Sequence, residues 1–435
     1  MGETSSSQTV ATKLRRIAEQ AIQYPGMVFT TLAHHLNVEF LGEAYKLTRK
    51  DAAPGIDRVT AEEYALNLKG NLRELHTLLK GGHYYAPPVN RVWIPKDDGE
   101  KRPLGLPTFE DKIVQRSVTM LLEAVYEGDF YDFSYGFRRG HSQHQALSEL
   151  RQRCMEGSIG WIVDADVKGY FENIEHGKLL EVIRRRVNDG GIIRLIGKWL
   201  NAGVMEGETL SYPEKGTPQG GVISPMLANI FLHHVLDEWY VNEAKPGMKG
   251  QSFLIRFADD FLIGCEHESE AQWVMMALSE RLQQYGLTVH PTKTKLVKFR
   301  RLDSKSGSSE NGSFDFLGFT HYWAKSRWGY WVIKRETAKK RLRRALKRVW
   351  EWCRENRHEP LKEQYRILSL KLKGHYQYYG IRCNYRKLML LYQHVRKAWR
   401  FWLSRRSHKG LVNWESFQKL EQLFPLPKPR IVHDV

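Results

Sequence analysis

The stretch Phe253–Cys265, FLIRFADDFLIGC, sets two adjacent carboxylates, Asp259 and Asp260, between two short apolar runs, Phe253 to Phe257 and Phe261 to Ile263. Each run has strand length and is rich in aromatic and β-branched side chains, so the stretch predicts a tight hairpin with an acidic tip. Two like charges at one turn repel each other and serve stability poorly. A divalent cation held between them and a third carboxylate would relieve that repulsion. Sites of this kind carry out phosphoryl or nucleotidyl transfer.

The third carboxylate is sought upstream, in IGWIVDADVKGYFENIEH (Ile159 to His176). Trp161 to Val167 reads as an apolar strand interrupted only by Asp164 and Asp166. Strand alternation puts both on one face, an expensive arrangement if that face were simply buried. Asp166 is therefore the candidate, and Phe171 could wall the pocket beneath it.

Other stretches around this centre are suited to nucleic acid. Val89 to Pro95, the turn Asp97-Asp98-Gly99 and a second strand into Arg102 predict a basic hairpin carrying Lys96 and Arg102. The loop FSYGFRRGHSQH (Phe133 to His144), with Arg138, mixes glycine, aromatic and basic residues. The turn KGTPQGGVISP (Lys215 to Pro225) opens an apolar helix, Met226 to Val235, with backbone amides that can approach a phosphate or sugar. Helices are also expected at Thr60 to Leu79, Ile113 to Val125, Leu179 to Val187, Ile192 to Leu200 and Ala271 to Tyr285, and Phe314 to His321 reads as strand-turn-strand.

The formal charge is +18 and the pI about 9.6, which points to a polyanionic partner. From Lys334 onward there are 27 Lys and Arg against 8 Asp and Glu, so the last quarter of the chain carries the surplus. There Lys340, Arg343, Arg344, Lys347 and Arg348 form one basic helix face, with further helices from about Pro360 to Lys373 and from Tyr385 to Ser404. The four cysteines are too far apart in sequence for a zinc knuckle and suggest reduced thiols, as in a cytoplasmic protein. No apolar run reaches membrane-spanning length, and the N-terminal stretch lacks a signal-peptide core, so no membrane partner is expected.

From about Asp57 onward these pieces, in order, resemble the reverse transcriptases of group II introns, the intron-encoded maturases. GIDRVTAEEY resembles the extension before the first common motif; RVWIPKDDGEKRPLGLPTFEDKIVQ and DFSYGFRRGHSQHQAL resemble the two fingers motifs. DADVKGYFENIEH, GTPQGGVISPMLANIFLHHVLD, IRFADDFLI, GLTVHPTKTKLV and FDFLGFTH follow in family order. GHYQYYG, WLSRRSHKGLVNW and LPKPRIV are similar to the thumb/maturase and short DNA-binding regions. The resemblance implies an α+β right-hand polymerase, with fingers and palm around an antiparallel sheet and then an all-α thumb/maturase domain. The implied divisions are a helical extension at 1–75, fingers and palm at 76–325, a helical thumb at 326–405 and a DNA-binding tail at 406–435.

Residue by residue, the resemblance implies that Asp166 and Asp259 hold two Mg²⁺ ions, for which Mn²⁺ can substitute, with Asp260 as third acid. Lys96 and Arg102 would grip the incoming triphosphate, Phe171 would exclude a ribose 2′-OH, and Gln219 would lie against the nucleotide. Phe257, Gly318, Arg138 and Lys293 would face primer and template. Phe257 stands where the family usually has tyrosine, and Arg139 and His141 replace a more usual Pro and Arg. The chain lacks the Cys/His cluster of an HNH endonuclease, so no DNA cutting of its own is expected. The implied partners are intron RNA, an RNA template with a DNA primer, target DNA and dNTPs. Two other readings stay open: a mainly structural RNA-binding maturase, and a domesticated relative in defence or a CRISPR locus. The retained acids disfavour the first and the long maturase-like tail the second.

Overall fold

The computed structural model describes residues 2–95, 101–207, 209–212, 214–216, 220–301, 312–407 and 410–434, with side chains from Thr9 onward. The chain opens with helices α1 (Gly2–Gln23) and α2 (Val38–Leu47), the second capped by the Asn37 side chain. The helix expected from Thr60 to Leu79 is two helices, α3 (Ala61–Ala65) and α4 (Leu68–Lys80). Thr60 and Glu63 make a reciprocal capping box at the start of α3. The break falls at Asn67, whose backbone leaves the helical region and whose residue type favours caps over helix interiors.

Strands β1 (Val89–Pro95) and β2 (Lys101–Leu106) pair antiparallel from Asn90↔Leu106 to Pro95↔Lys101. The turn Asp97-Asp98-Gly99, with Lys96, lies outside the described residues. Helices α5 (Phe109–Tyr126) and α6 (Gln143–Glu156) follow, capped by Thr108 and Ser142. Then come β3 (Trp161–Ala165), α7 (Tyr170–Asn173), α8 (His176–Arg184), α9 (Gly190–Leu200), β4 (Val204–Glu206) and β5 (Thr209–Ser211). Helix α10 (Ser224–Leu232) runs on into π-helical turns at His233–Asp237 and Tyr240–Ala244. The remaining strands are β6 (Ser252–Phe257), β7 (Asp260–Cys265), β8 (Lys295–Lys298), β9 (Phe314–Phe316), β10 (Phe319–Lys325) and β11 (Trp331–Thr337), with α11 (Glu268–Gln284) between β7 and β8. Helices α12 (Lys339–Glu355), α13 (Leu361–Tyr379), α14 (Tyr385–Leu403) and α15 (Trp414–Leu423) follow.

Among the described residues, three sheets result. The central one, β6-β7-β3-β8, is wholly antiparallel; β2-β1-β4-β5 contains one parallel pair, β1 with β4; β11-β10-β9 is an antiparallel meander. One large core joins α1, α2, α5, α8, α9, α10 and α11 to one side of the central sheet. A second lies between that sheet's other side, α6 and the meander. This two-sided cover explains why β6 and β7 read as near-continuous apolar runs. A third core is formed by α12 to α15.

One expectation changes. The unit taken as all-helical from 326 contains β11, because Trp331–Thr337 completes the meander on β10; the helices begin only at Lys339. Past α14, Phe417 and Leu426 are buried in the third core, and His433 bridges to Ile381.

Candidate active site

In the β6–β7 hairpin Phe257 pairs with Asp260, so a two-residue turn, Ala258-Asp259, makes the acidic tip. Ala258 has φ +58°, a left-handed backbone that costs an L-residue about 1–2 kcal/mol. A buried scaffold holds it there. Arg256, 0% exposed, donates from Nη1 to the Ala258 carbonyl at 3.2 Å and to Asn229 Oδ1 at 3.0 Å. Its other nitrogens form a fork on Asp237, also 0% exposed: Nε to Oδ1 at 2.8 Å and Nη2 to Oδ2 at 2.5 Å. Burial alone would raise Asp237, but Arg256 and His233 outweigh it and hold the carboxyl below its ordinary value. Asp237 ends the first π turn of the α10 extension, a rare geometry that is frequent at functional sites.

The glycine-aromatic loop presses on the same turn. Tyr135 N–H donates to Arg256 O, Arg256 N–H donates to Phe133 O, and Asn229 Nδ2 donates to Gly136 O at 2.6 Å. A Cβ on Gly136 would stand 2.1 Å from the Ala258 nitrogen, so no side chain fits there. Arg138 serves this loop too. Its guanidinium, almost wholly buried, donates to Glu127 and to the Tyr131 and Ser134 carbonyls, so it buttresses the loop from within.

Four acids act on one another electrostatically at the end of the central sheet. Asp164 pairs with Leu262 on β7 and Lys295 on β8; Asp166 lies just past β3, its carbonyl accepting from His290 N–H at 2.7 Å. Burial, then repulsion from Asp260, pushes Asp164 up to about 7. Asp260 keeps an open face but is crowded by protein; that crowding, then Asp259 and Asp166, pushes it up to about 6. Asp259 is raised by burial, with Asp166 adding to the effect and Arg102 opposing it. Asp164 is the acid that the sequence reading placed on this face but gave no role.

Cations balance the cluster. Lys293 Nζ lies 3.3 Å from Asp166 Oδ2. Arg102, opposite Ile94 on the β1–β2 hairpin, attracts both Asp259 and Asp260. Arg341, in the first turn of α12, also attracts Asp260. Sequence reasoning missed Arg341 because it took only the neighbouring basic positions as one face.

The remaining candidates fall around the cluster. Phe171 is buried in α7, packed on Tyr170 at 5.2 Å between ring centroids. Gly216 and Gly220, with φ +93° and +107°, run so close to the Phe171 carbonyl and to Gly105 that a Cβ would crowd backbone at either point. Gln219, between them, lies outside the described residues. Phe257 is half-buried against the second core. Gly318 takes φ +79° beneath Tyr379, whose hydroxyl a Cβ would meet at 3.0 Å, while Tyr378 donates to the Leu317 carbonyl at 2.8 Å. On α12, Lys340, Arg343, Lys347 and Arg348 are exposed and Arg344 is half-buried.

The profile of the reverse transcriptase (RNA-dependent DNA polymerase) family matches residues 94–321, from the end of β1 into β10. The chain belongs to that family, whose domain implies a right-hand polymerase fold. Among individual relatives, it is 31% identical over 349 residues to protein YkfC of Escherichia coli (strain K12), covering 72% of this chain and 89% of that one. It is 37% identical over 227 residues to group II intron-encoded protein LtrA of Lactococcus lactis subsp. cremoris, covering 51% of this chain and 37% of LtrA. Nuclear intron maturase 4, mitochondrial, of Arabidopsis thaliana is 29% identical over 192 residues, 39% of this chain and 23% of that protein.

Reverse transcriptases use divalent metal ions, and the donor set fits one. Asp166 and Asp259 offer hard carboxylate oxygens, and Asp166 adds to the rise in Asp259's proton affinity. Among the described residues no three acid, imidazole or thiolate groups already close into a cage. Ions of this kind commonly complete their shell with substrate phosphates and water. Among the described residues no helix is long and apolar enough to cross a membrane.

Proposed function

We propose that this chain is the RNA-directed DNA polymerase of a group II intron, copying intron RNA into DNA and also binding that RNA as a splicing maturase. The observation that carries the reading is the four-acid cluster, two acids at the β6–β7 turn held by a buried scaffold and two at the end of β3, inside a reverse transcriptase domain. On this reading β6-β7-β3-β8 is the palm, the β1–β2 hairpin belongs to the fingers, and α12 to α14 form the thumb. Asp166 and Asp259 would hold Mg²⁺, with Mn²⁺ as a substitute, and Asp260 would be the third acid. When bound, the ions lower the cost of forming the attacking primer oxyanion and of charge on the leaving pyrophosphate.

The chain's own side chains do the rest. Arg102 meets the triphosphate as a fork, joined by Lys96 and Gln219, and Phe171 walls the sugar side against a 2′-OH. Lys293 neutralises Asp166 between substrates. The Gly318 turn, with Phe257 nearby, receives the primer terminus. The exposed cations of α12, Lys340, Arg343, Lys347 and Arg348 with Arg344, hold the template–primer duplex and intron RNA through phosphates. Target DNA is a further partner, and the cytoplasm is the place of action. Relatives named as an intron-encoded protein and as an intron maturase support the splicing role.

Asp259→Ala tests the reading. Metal-dependent DNA synthesis on an RNA template should fall to background, while affinity for the same RNA stays within about twofold, because binding comes from distant cations. Equal synthesis by variant and wild type would refute it.

A further inference from the structure

The loop joining β10 to β11, Ser326–Tyr330 (SRWGY), takes no part in the catalytic site. Trp328 is 85% exposed and Tyr330 70% exposed. Single exposed apolar side chains are common, but two large rings within three residues at one tip are a concentrated display. The loop is also well ordered by its own hydrogen bonds. Ser326 Oγ accepts from the backbone N–H of Trp328 and of Tyr330, both at 3.2 Å. Ser326 N–H donates to the Tyr330 carbonyl at 2.8 Å, and Gly329, at φ +80°, donates back to the Ser326 carbonyl. The backbone is thus fixed while the rings face water.

Cations flank the loop along the chain. Arg327 is exposed between them and β10, and Lys325 Nζ sits 5.6 Å over the Trp331 ring. Trp323 Nε1 donates to the Phe299 carbonyl at 3.1 Å, which ties β10 to the segment that carries the exposed Lys298 and Arg301. Register locates this patch. Lys298 pairs with Trp161, at the end of β3 away from the acids, roughly 16 Å along the strand from Asp166. Lys298 and the polymerase site therefore lie at opposite ends of the central sheet.

We propose that this tip is a second nucleic-acid contact, which binds an unpaired strand by stacking its bases on Trp328 and Tyr330 while Lys298, Arg301, Lys325 and Arg327 meet its phosphates. Base faces are available only in an unstacked strand, so the ligand is single-stranded rather than duplex. A second copy of the chain is a poor occupant, because the cations that flank the loop would repel their own counterparts. The patch lies in the part of the chain whose charges nearly cancel, 40 basic against 41 acidic residues before Lys334, so composition alone conceals it.

The test uses the full-length protein with its polymerase site first saturated by a chain-terminated RNA/DNA template–primer. Fluorescent oligo(rU) or oligo(dT) of roughly 12 nucleotides, within the usual site size for single-strand binders, is then titrated by anisotropy. Wild type should bind the second strand. Trp328→Ala and Tyr330→Ala should each weaken it about tenfold, within the range measured for one base–aromatic stack. Trp328→Phe, which keeps a ring, should retain most of the affinity, and primer extension by all three variants should match wild type. Whichever strand, RNA or DNA, is bound more tightly by wild type identifies the source of the ligand. Unchanged affinity for both strands in Trp328→Ala and Tyr330→Ala would overturn the proposal. So would a loss seen only as dissociation of a dimer in sedimentation, which would make the tip a contact between copies. Because synthesis is read separately, failure here leaves the polymerase assignment standing.

Discussion

The β6–β7 and β10–β11 hairpins are both antiparallel pairs capped by short turns, yet their turns are supported in opposite ways. The β6–β7 turn carries repelling acids and a left-handed alanine, and it is held from beneath by Arg256, Asp237, Asn229 and Gly136. The β10–β11 turn carries exposed rings, and a single serine with a glycine organises it. Where the chain stores unfavourable charge, it needs a buried, hydrogen-bonded foundation. Where it only displays surface, local turn chemistry is sufficient.

Removing one partner of the buried pair should give the largest effect. Asp237→Ala leaves Arg256 charged in the core, which costs about 3–5 kcal/mol; urea unfolding reads the loss. The double variant Arg256→Met, Asp237→Leu should recover most of that stability, as buried pairs replaced by apolar groups often do. DNA synthesis should remain low, since the Ala258 carbonyl has lost its donor. Full synthesis in the double variant would mean that the pair supports the fold without positioning the turn.

Glycine replacements compare the two foundations directly. Gly136→Ala drives a methyl into the Ala258 backbone and should cost about 3 kcal/mol, near the upper end for overpacking. Gly329→Ala has open space around its Cβ and should cost only the left-handed penalty, about 1–2 kcal/mol. Similar losses at both positions, measured by the same unfolding experiment, would erase the distinction.

A smaller effect is expected from pH. The folded pKa of Asp164, about 7, lies above its ordinary value of 3.8. Stability from its retained proton is therefore fully present below the unfolded value and lost as pH rises through 7. In chelator, wild type should lose stability relative to Asp164→Asn between about pH 4 and 7. The slope should stay below about 1.4 kcal/mol per pH unit, because the carboxyl is only partly shielded from water. Parallel pH profiles would show that Asp164 is not strained.

Much of this was readable in the residues. Apolar runs on each side of Asp259-Asp260 define β6 and β7, and Val89 to Pro95 is a strand with the expected bounds. Asp164 and Asp166 do meet the hairpin acids electrostatically, as alternation along one strand face suggested. What local pattern could not reveal depends on distant partners. Arg256 sits in a run that reads as apolar, and its burial makes sense only with Asp237, 19 residues away. The π turn that aims Asp237 inward leaves no mark in an apolar helical pattern. A charged residue inside a buried strand was the available signal, since such groups are rarely buried unpaired. Arg138 likewise reads as a free basic group until Glu127 and two carbonyls are seen to hold it.

The central claim is that the acids are kept for metal chemistry at the expense of stability. Asp260→Asn tests it most directly, with thermal unfolding in chelator and primer extension measured on the same preparation. Relief of repulsion from Asp259 and Asp166 should leave the melting temperature unchanged or higher, with a gain of about 1 kcal/mol or less after solvent screening, while DNA synthesis on an RNA template collapses. A variant that melts lower and still synthesises DNA would contradict the account, because Asp260 would then be a structural residue and not a catalytic acid.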